Sequence, residues 1–385
     1  MIRKTRPPVL AAVTLALALA LALSLAACAV QPPGARAPAV SHAELLSGER
    51  LGIGRDAAPR PVQLTAVNDD MRAFLHHHVP AGLGPTRTIE LILQALLQDG
   101  LELRYDNFRT YTAEEAFYAR EGNCMSFTNL FVALAREAGI KAHYQEVEIP
   151  PSWTVDGDTW MYNLHINALV KLPVGEQVVD FNLGDYDRDF QRWLLSDEEA
   201  LARYHNNMGV HWMEQGETER AFLHFRAALG LQPYAAHVWT NLGTLYRRQG
   251  DLAAAEAGYL HAVAIGDEAA ANSNLARLYA QLGEAELSAW YRDRVQLFRL
   301  RNPYYLFHLA EEAYAGADYV SARQFLLTAI RREPGEHEFY RLLGLTYLRQ
   351  GKLPAARAQF ELAARHADAA HQLRYRNKLD LLVAR

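Results

Sequence analysis

The sequence predicts two domains: an α+β domain and, after it, an all-α solenoid of helical repeats. Two observations predict this arrangement. Self-similarity with a period of about 34 residues runs through the C-terminal half, which is typical of stacked helix pairs. Between about residues 43 and 195 that period is missing, and helical patterns are followed there by strand-like runs. The chain has 385 residues, of which 50% are hydrophobic, so it is long enough to bury more than one core.

The composition excludes several classes of function. The formal net charge is -5, and no run of Lys or Arg follows the first residues, so the sequence carries no electrostatic signal for nucleic-acid binding. The 2 cysteines, Cys28 and Cys124, are too few for a disulfide framework or a cysteine-based zinc site. No glycine-rich phosphate-binding loop occurs. We therefore expect neither a metal nor an organic cofactor.

The N-terminus has the plan of a secretory signal peptide. A cationic start at residues 3–6 precedes an apolar run from Val9 to Ala27. The alternative is a membrane-spanning helix, because residues 9–30 are long enough to cross a bilayer of about 30 Å. The small pair Ala26-Ala27 before Cys28, and the proline-containing stretch after it, favour the signal peptide.

The sequence Leu25-Ala26-Ala27-Cys28 resembles the lipobox of bacterial lipoproteins. The resemblance implies removal of residues 1–27 and lipidation of Cys28 on its sulfur and new amino group, with palmitate among the acyl chains. Residues 28–45 would then be a lipid-anchored linker, and several acyl chains bind a membrane far more firmly than one. Because Ala29 is compatible with outer-membrane retention, we expect the chain at the periplasmic face of the outer membrane in the bacterial cell envelope.

One helix ends and another begins around the second cysteine. Thr112-Ala113-Glu114-Glu115 is a capping box and predicts a helix to Arg120, after which residues 121–123 break the chain. Apolar residues recur at helical spacing after Cys124, and Gly139 closes that element. Cys124 is thus predicted at the N-terminal end of a buried helix, where free N–H groups and the helix dipole favour a thiolate. The alternative is a buried structural cysteine.

Three strand-like runs follow, at residues 141–149, 160–171 and 177–182. The second run alternates so that its apolar residues share one face, and His165 lies on the other, more polar face. Asp180 lies in the third run. A thiol, an imidazole and a carboxylate in this order are the components of a triad in which His takes the proton and Asp orients it.

The pairing of the last two strands decides whether the imidazole and the carboxylate can meet. If Pro173–Glu176 forms the hairpin loop, Asp180 lies opposite Leu169, on the face of His165 but further along the strand. Direct contact then needs a bulge or a shifted pairing. Nearby alternatives to Asp180 are Asp185, Asp187 and Asp189.

Four motifs of this region resemble the transglutaminase-like superfamily, which has a papain-like fold. They are Gly122-Asn123-Cys124, the helix end Ala135-Arg136-Glu137-Ala138-Gly139-Ile140, His165-Ile166-Asn167 and Val178-Val179-Asp180. The resemblance covers about residues 65–195 of a domain that we place at 46–197. It implies that Cys124 is the nucleophile, His165 the general base and acid, and Asp180 the orienting carboxylate.

Departures from the family pattern leave the substrate and the oxyanion site open. Ile166 and Asn167 follow the histidine, where many members have Ala-Trp and a carboxylate. Animal-type transglutaminases also use an upstream tryptophan near the oxyanion, whereas the first tryptophan here is Trp153. The backbone N–H of Cys124 is one expected donor, and Gln98 and Asn107 are candidates for the second.

The C-terminal half contains three strong copies and two weaker copies of one pattern. The strong copies share a glycine, an aromatic residue and an alanine: Gly209, Phe225 and Ala228; Gly243, Tyr259 and Ala262; Gly344, Phe360 and Ala363. We expect the small residues to let two antiparallel helices approach, and the aromatic residues to fill the space between neighbouring repeats. The pattern resembles tetratricopeptide (TPR) repeats. It implies about five repeats over residues 198–368, a capping helix at 369–385 and a concave groove for a protein or peptide; a spacer that only positions its neighbour is the alternative.

Together these features resemble bacterial lipoproteins that join a transglutaminase-like domain to TPR repeats. We expect a membrane-anchored cysteine peptidase, amidase or transamidase that forms a thioester at Cys124, with repeats that recruit a protein substrate or partner. Hydrolysis is favoured, because no residue indicates a site that keeps water out. The alternative is a catalytically silent lipoprotein scaffold. His76-His77-His78 is not expected to bind a metal, because consecutive helical residues point about 100° apart.

Overall fold

The computed structural model describes residues 32–33, 37–156, 159–181, 192–266 and 269–367. Four expectations lie outside the described residues: the signal peptide, the lipidation site Cys28, the alternative carboxylates Asp185, Asp187 and Asp189, and the capping helix at 369–385. Among the residues that are described, no helix is both long enough and apolar enough to cross a membrane.

The first half of the chain combines helices with a four-stranded antiparallel sheet. In chain order its elements are α1 (His42–Ser47), a short 3-10 helix (Glu49–Leu51), α2 (Asp69–His78), α3 (Pro85–Leu97), β1 (Arg104–Tyr105), α4 (Ala113–Ala119), β2 (Glu121–Gly122), α5 (Cys124–Glu137), β3 (Ala142–Asp156), β4 (Thr159–Lys171), β5 (Glu176–Val179) and β6 (Arg192–Leu195). The sheet order is β5-β4-β3-β6, and β1 and β2 form a separate parallel pair.

Helix α5 is the buried centre of this α+β domain, and its predicted start at Cys124 is confirmed. Asn123 caps the helix, because its side-chain oxygen accepts a hydrogen bond from the Ser126 backbone N–H at 3.1 Å. Nearly every α5 side chain from Met125 to Ala135 is buried, because the sheet packs on one side and other helices pack on the rest. The start of α5 is therefore fixed from several directions.

The long hairpin β3–β4 contains a register shift. Glu148 pairs with Leu164, and the next paired residues are Trp153 and Tyr162, so several residues of β3 lie opposite one residue of β4. The sequence predicted that β3 ends near residue 149, but the strand continues to Asp156. The irregularity coincides with Pro150-Pro151, and a bulge lets a strand continue past prolines that cannot donate to the ladder.

The second half is an array of helices, and the predicted all-α TPR solenoid is confirmed. The helices are α6 (Asp197–Glu214), α7 (Thr218–Leu231), α8 (Ala236–Arg248), α9 (Leu252–Ile265), α10 (Ala269–Gln281), α11 (Ala285–Arg301), α12 (Pro303–Ala315), α13 (Tyr319–Arg332), α14 (His337–Arg349) and α15 (Leu353–His366). Each helix packs against the next one along the chain.

The glycines of the strong repeats allow a close helix approach within one repeat. A Cβ atom on Gly209 would lie 2.5 Å from the Phe225 ring, and one on Gly344 would lie 2.9 Å from the Phe360 ring. Each aromatic residue therefore packs on the glycine of its own repeat. Phe225 and Tyr259 also belong to one core that includes side chains of several repeats, so these contacts do not contradict the expectation that such rings fill the space between neighbouring repeats.

The segment from residue 40 to residue 57 packs against the repeats. Leu45 is fully buried in the core of the first repeats. The Tyr246 hydroxyl donates to the Leu45 carbonyl oxygen at 2.6 Å, and Arg50 pairs with Asp251 at 2.6 Å. The expected boundary between linker and domain at residue 46 thus falls inside α1, on a segment that contacts TPR helices.

Helix α6 joins the two halves. Its residues Ala200 and Tyr204 belong to the core of the α+β domain, although α6 is the first repeat helix. Arg136 of α5 forms a bidentate ion pair with Asp197, at 2.7 and 2.8 Å. The β3–β4 hairpin also contacts α10 and α12 of the repeats. The sheet that carries His165 is thus in contact with the solenoid at several points.

Candidate active site

Cys124 is the first residue of α5, and the residue is partly exposed. Strand β2 ends at Gly122, so the chain enters the helix directly from a short strand. The first N–H groups of a helix have no partner within it, and the positive end of the helix dipole lies there. The local setting therefore suits a negatively charged sulfur or a carbonyl oxygen that gains negative charge.

His165 lies between Cys124 and Asp180. Its Nε2 is 2.6 Å from Asp180 Oδ2, and the Asp180 side chain is 0% exposed. Burial lowers the pKa of His165, but the hydrogen bonds to Asp180 and Cys124, with the negative charges of both partners, outweigh it and raise the pKa to about 10. Because Nε2 faces the carboxylate, Nδ1 is the ring nitrogen left for the thiol.

The pairing of β4 with β5 explains this contact. Lys171 pairs with Glu176 and Ala168 pairs with Val179. Continued by one residue, this register puts Asp180 opposite Asn167, next to His165 on the same face. The expected register, with Asp180 opposite Leu169, is wrong because the turn closes earlier: the pairing already includes Glu176, and Leu172 N–H donates to Gly175 O at 3.0 Å. The shifted pairing makes a bulge unnecessary.

Asn167 is a site residue that the sequence argument treated only as a departure from the family pattern. Its Nδ2 donates to Asp180 Oδ2 at 3.0 Å, the same oxygen that His165 contacts. Asn167 is fully buried, and among the described residues its own Oδ1 has no hydrogen-bond partner. The correct hairpin register would have identified this residue, because it places Asn167 directly opposite Asp180.

The loop at residues 106–111 is fixed to the start of α5. Asn123 is the centre of this contact: its backbone N–H donates to Arg109 O at 2.9 Å, and its side-chain Nδ2 donates to Thr110 Oγ1 at 2.8 Å. Ser126 Oγ donates to Arg109 O at 2.9 Å and accepts from Tyr111 N–H at 2.8 Å. The loop and the start of α5 therefore hold a fixed relative position.

Gly122 is required at its position by the same close packing. A Cβ atom there would lie 2.4 Å from Ser126 Cβ and 2.7 Å from Ser126 Oγ. Ser126 cannot move aside without losing the hydrogen bonds that hold the loop. Steric crowding by Ser126 thus explains why the residue two positions before Cys124 is a glycine.

The two side chains expected as second oxyanion donors are placed differently. Asn107 lies in the loop that is fixed to the start of α5, and its Oδ1 accepts a hydrogen bond from the Tyr105 hydroxyl at 3.2 Å. Gln98 is exposed at the end of α3, and no described contact joins it to Cys124. Asn107 and the backbone N–H of Cys124 stay as predicted donors.

The histidine run lies away from these residues. His76, His77 and His78 form the last turn of α2. In the part of the chain that the structure describes, no group of three or more His, Cys, Asp or Glu side chains is placed to hold a metal ion.

Comparison with models of known protein families finds one match in each half of the chain. Residues 85–180 match the model of the transglutaminase-like superfamily, and residues 236–265 match that of the tetratricopeptide repeat. The first match spans Cys124, His165 and Asp180. The chain therefore contains a transglutaminase-like domain and TPR repeats, as the sequence predicted. No curated protein matches the sequence.

The similar solved structures are TPR proteins. One similar structure is that of MamA, with 17% sequence identity. The alignment covers 43% of this chain and 91% of the MamA chain, with a TM-score of 0.24. YrrB, described as a TPR protein with an unusual peptide-binding site, is 18% identical over 47% and 94% of the two chains, with a TM-score of 0.25. PilF of Pseudomonas aeruginosa is 14% identical over 49% and 90%, with a TM-score of 0.26. Similarity at this level carries no information about function.

Proposed function

We propose that this protein is a membrane-anchored cysteine peptidase or amidase of the cell envelope. Cys124 is the nucleophile, His165 the general base and acid, and Asp180 the carboxylate that orients His165. The TPR repeats recruit the protein substrate or a partner protein. The observation that carries the proposal is the position of His165 between the Asp180 carboxylate and the Cys124 thiol.

The reaction uses these groups in two stages. His165 takes the thiol proton, and the thiolate attacks the amide carbonyl carbon, so that a C–S bond forms and the carbonyl oxygen becomes an oxyanion. The oxyanion collapses, the C–N bond breaks, and His165 gives its proton to the departing amine. The product on the enzyme is a thioester. Asp180 stabilises the imidazolium in each step and keeps the ring in position.

Water completes the cycle. His165 takes a proton from water, the resulting hydroxide attacks the thioester carbon, and the C–S bond breaks as the acid leaves. An amine in place of water would give transamidation. Hydrolysis is favoured because Cys124 is partly exposed, so water can approach it.

The Cys124 backbone N–H and the Asn107 side chain would stabilise the oxyanion. The Cys124 N–H lies at the N-terminal end of α5, where the helix dipole also favours negative charge, and Asn107 belongs to the loop that is fixed to this helix start. Asn107 is suited to the role because its Oδ1 is engaged by Tyr105, which leaves its Nδ2 group to donate.

Lipid on Cys28 would hold the protein at the periplasmic face of the outer membrane. The packing of residues 40–57 against the repeats supports this arrangement, because it gives the anchor a fixed attachment point. Residues 28–40 span at most about 40 Å when extended. The first repeats would therefore stay near the membrane surface.

The test is the rate of Cys124 alkylation by iodoacetamide in the full-length protein at pH 6. The tryptic peptide of residues 121–136 contains Cys124 and reports its modification by mass spectrometry. We expect His165→Ala to lower the rate at least about tenfold, because a thiolate reacts and a thiol does not. His308→Ala, a histidine of the repeats that is 61% exposed, is the matched control and should leave the rate unchanged.

The alternative, a catalytically silent scaffold, predicts a different result. In that case Cys124 reacts no faster than a free cysteine at pH 6, and His165→Ala changes nothing. This outcome would overturn the enzyme proposal and leave the repeats as the functional part.

A further inference from the structure

A row of aromatic rings runs from the core of the transglutaminase-like domain to its surface. Phe127 of α5 is fully buried, and its ring centroid lies 4.9 Å from that of Phe181 in an edge-to-face contact. Phe181 follows Asp180 in the chain, and its centroid is 5.4 Å from that of Tyr105. Tyr105 ends the row and is 51% exposed. A large apolar ring is thus held at the surface by packing behind it.

Tyr105 lies beside the candidate nucleophile. It pairs with Gly122 in the parallel β1–β2 ladder, two residues before Cys124. Partial burial, followed by the negative charges of Cys124 and Asp180, raises the pKa of the Tyr105 phenol. The ring is therefore within electrostatic reach of both the sulfur and the carboxylate of the proposed triad.

Phe108 adds a second exposed ring, on the loop that is fixed to the start of α5. It is 76% exposed, and its backbone N–H donates to Asp106 Oδ1 at 2.9 Å. Asp106 N–H donates to Gly122 O at 3.0 Å, and Arg109 O accepts from Asn123 N–H at 2.9 Å, so the residues on both sides of Phe108 are fixed to the segment before Cys124.

Two aromatic rings that are exposed on a fixed loop are unfavourable for the free energy of folding, and the fold does not offset this. Exposed phenylalanine and tyrosine surface is unfavourable in water, and the loop has no freedom to bury it. A flat apolar group that packs on these rings would remove that surface from water and gain aromatic contacts. The nearby charges, Asp106 and Arg109, lie 3.9 Å apart and offset each other, so the surface does not select a charged group.

We propose that Tyr105 and Phe108 form an apolar subsite that binds an aromatic side chain of the substrate next to the amide that Cys124 attacks. The subsite rests on the proposed function, since it positions a substrate for that nucleophile. It assigns a substrate class: proteins or peptides with an aromatic residue beside the reacting amide.

The test compares two reagents on the full-length protein, iodoacetamide and N-benzyl iodoacetamide. Both alkylate Cys124 by the same displacement of iodide, but only the second carries an aromatic ring. The alkylation rate of Cys124 with each reagent is measured on the peptide of residues 121–136. The rate with the benzyl reagent is divided by the rate with iodoacetamide, and this ratio is divided by the same ratio for N-acetylcysteine, which corrects for the intrinsic reactivity of the two reagents. We expect the wild-type ratio to favour the benzyl reagent by about threefold to tenfold.

Four variants separate the explanations. Tyr105→Ala and Phe108→Ala should each lower the benzyl preference at least about twofold, while Tyr105→Phe keeps the ring and should preserve it. Phe108 is so exposed that its replacement leaves the fold intact, which keeps the test valid if Tyr105→Ala unfolds the domain. Tyr234→Ala, which removes an aromatic residue that is 81% exposed in the repeats, is the control.

The possible outcomes differ for the two proposals. If Cys124 reacts readily and depends on His165, but neither alanine variant changes the benzyl preference, the subsite is refuted and the enzyme proposal stands. If Cys124 reacts with neither reagent, both proposals fail. A preference that is lost equally in Tyr105→Phe would assign the effect to the hydroxyl and refute an apolar subsite.

Discussion

The guanidinium of Arg203 binds the carboxylate of Glu146 across the junction of the two domains. Nε lies 2.6 Å from Oε1 and Nη2 lies 3.0 Å from Oε2, in a bidentate pair. Glu146 belongs to β3 of the sheet and Arg203 to α6, the first repeat helix. The side chains are 9% and 19% exposed, so both charges are largely removed from water. The sheet that carries His165 is therefore attached to the repeats by a buried ion pair.

Arg203→Ala should destabilise the protein by about 3 kcal/mol, because it leaves the Glu146 carboxylate buried without its partner. The measurement is the free energy of unfolding from urea denaturation, followed by circular dichroism. The double variant Arg203→Ala with Glu146→Gln is the matched control, and it should recover part of the loss because the unpaired charge is gone. Equal destabilisation in the single and double variants would contradict an ion pair at this junction.

The stability of the protein should depend on pH through His165. The pKa of His165 is about 10 in the folded protein, against 6.5 ordinarily. Its contribution to the free energy of unfolding is therefore fully present below about pH 6.5. The contribution is lost as pH rises through about 10. The free energy of unfolding of the wild type should therefore decrease between these values, and Asp180→Asn should flatten that decrease, because it removes the hydrogen-bonded carboxylate. Parallel pH curves for the two proteins would show that Asp180 does not hold the imidazolium.

Gly122→Ala should reduce the reactivity of Cys124 as well as stability. The added Cβ would meet Ser126 at 2.4 Å, and overpacking of this kind costs about 1–3 kcal/mol. Because Ser126 and Asn123 fix the loop and the helix start, we expect the alkylation rate of Cys124 to fall about tenfold or more. Gly139→Ala is the control: Gly139 has a φ of +79° at the other end of α5, but a Cβ there meets nothing within 4 Å. It should cost stability through backbone strain and leave the alkylation rate unchanged.

Tyr246→Phe should loosen the segment at residues 40–57. The Tyr246 hydroxyl donates to the buried Leu45 carbonyl at 2.6 Å, and the loss of that donor should cost about 1–3 kcal/mol. The readouts are the thermal midpoint and the rate of limited proteolysis within the segment. Tyr234→Phe, at an exposed tyrosine of the repeats, should change neither. Unchanged proteolysis in Tyr246→Phe would show that this hydrogen bond does not retain the segment.

The sequence predicted the order of the domains and the start of α5 because both follow from local patterns. A repeat period and a chain break before an apolar helix are properties of neighbouring residues, and the side chains involved need no distant partner to be recognised. The same holds for Cys124 as a candidate nucleophile, since its place at a helix start is a local property. The family match over residues 85–180 confirms the predicted domain, and the role of Cys124 stays a prediction.

Contacts between distant segments were predicted less well. The boundary at residue 46 was placed from the family resemblances, but α1 packs on helices some 200 residues later in the chain, and its buried side chains carry no local sign of that partner. Gln98 and Asn107 were equally plausible donors in the sequence. The pairing of β1 with β2 brings the loop of Asn107 to Cys124 and leaves Gln98 at the exposed end of α3.

The amino-acid sequence by itself determined which chemical groups this protein has and on which elements they lie: a thiol at a helix start, an imidazole on a strand, a carboxylate after the next turn, and an array of helix pairs. The tertiary structure decided which of them meet. Side chains on one face of a strand recur at every second residue, so a small shift in where one turn closes changes which side chains meet. Here the shift moves Asp180 from a position opposite Leu169 to one opposite Asn167, where its carboxylate lies 2.6 Å from His165. The free energy that selects this register comes from the packing of the whole sheet against α5, which no local pattern contains.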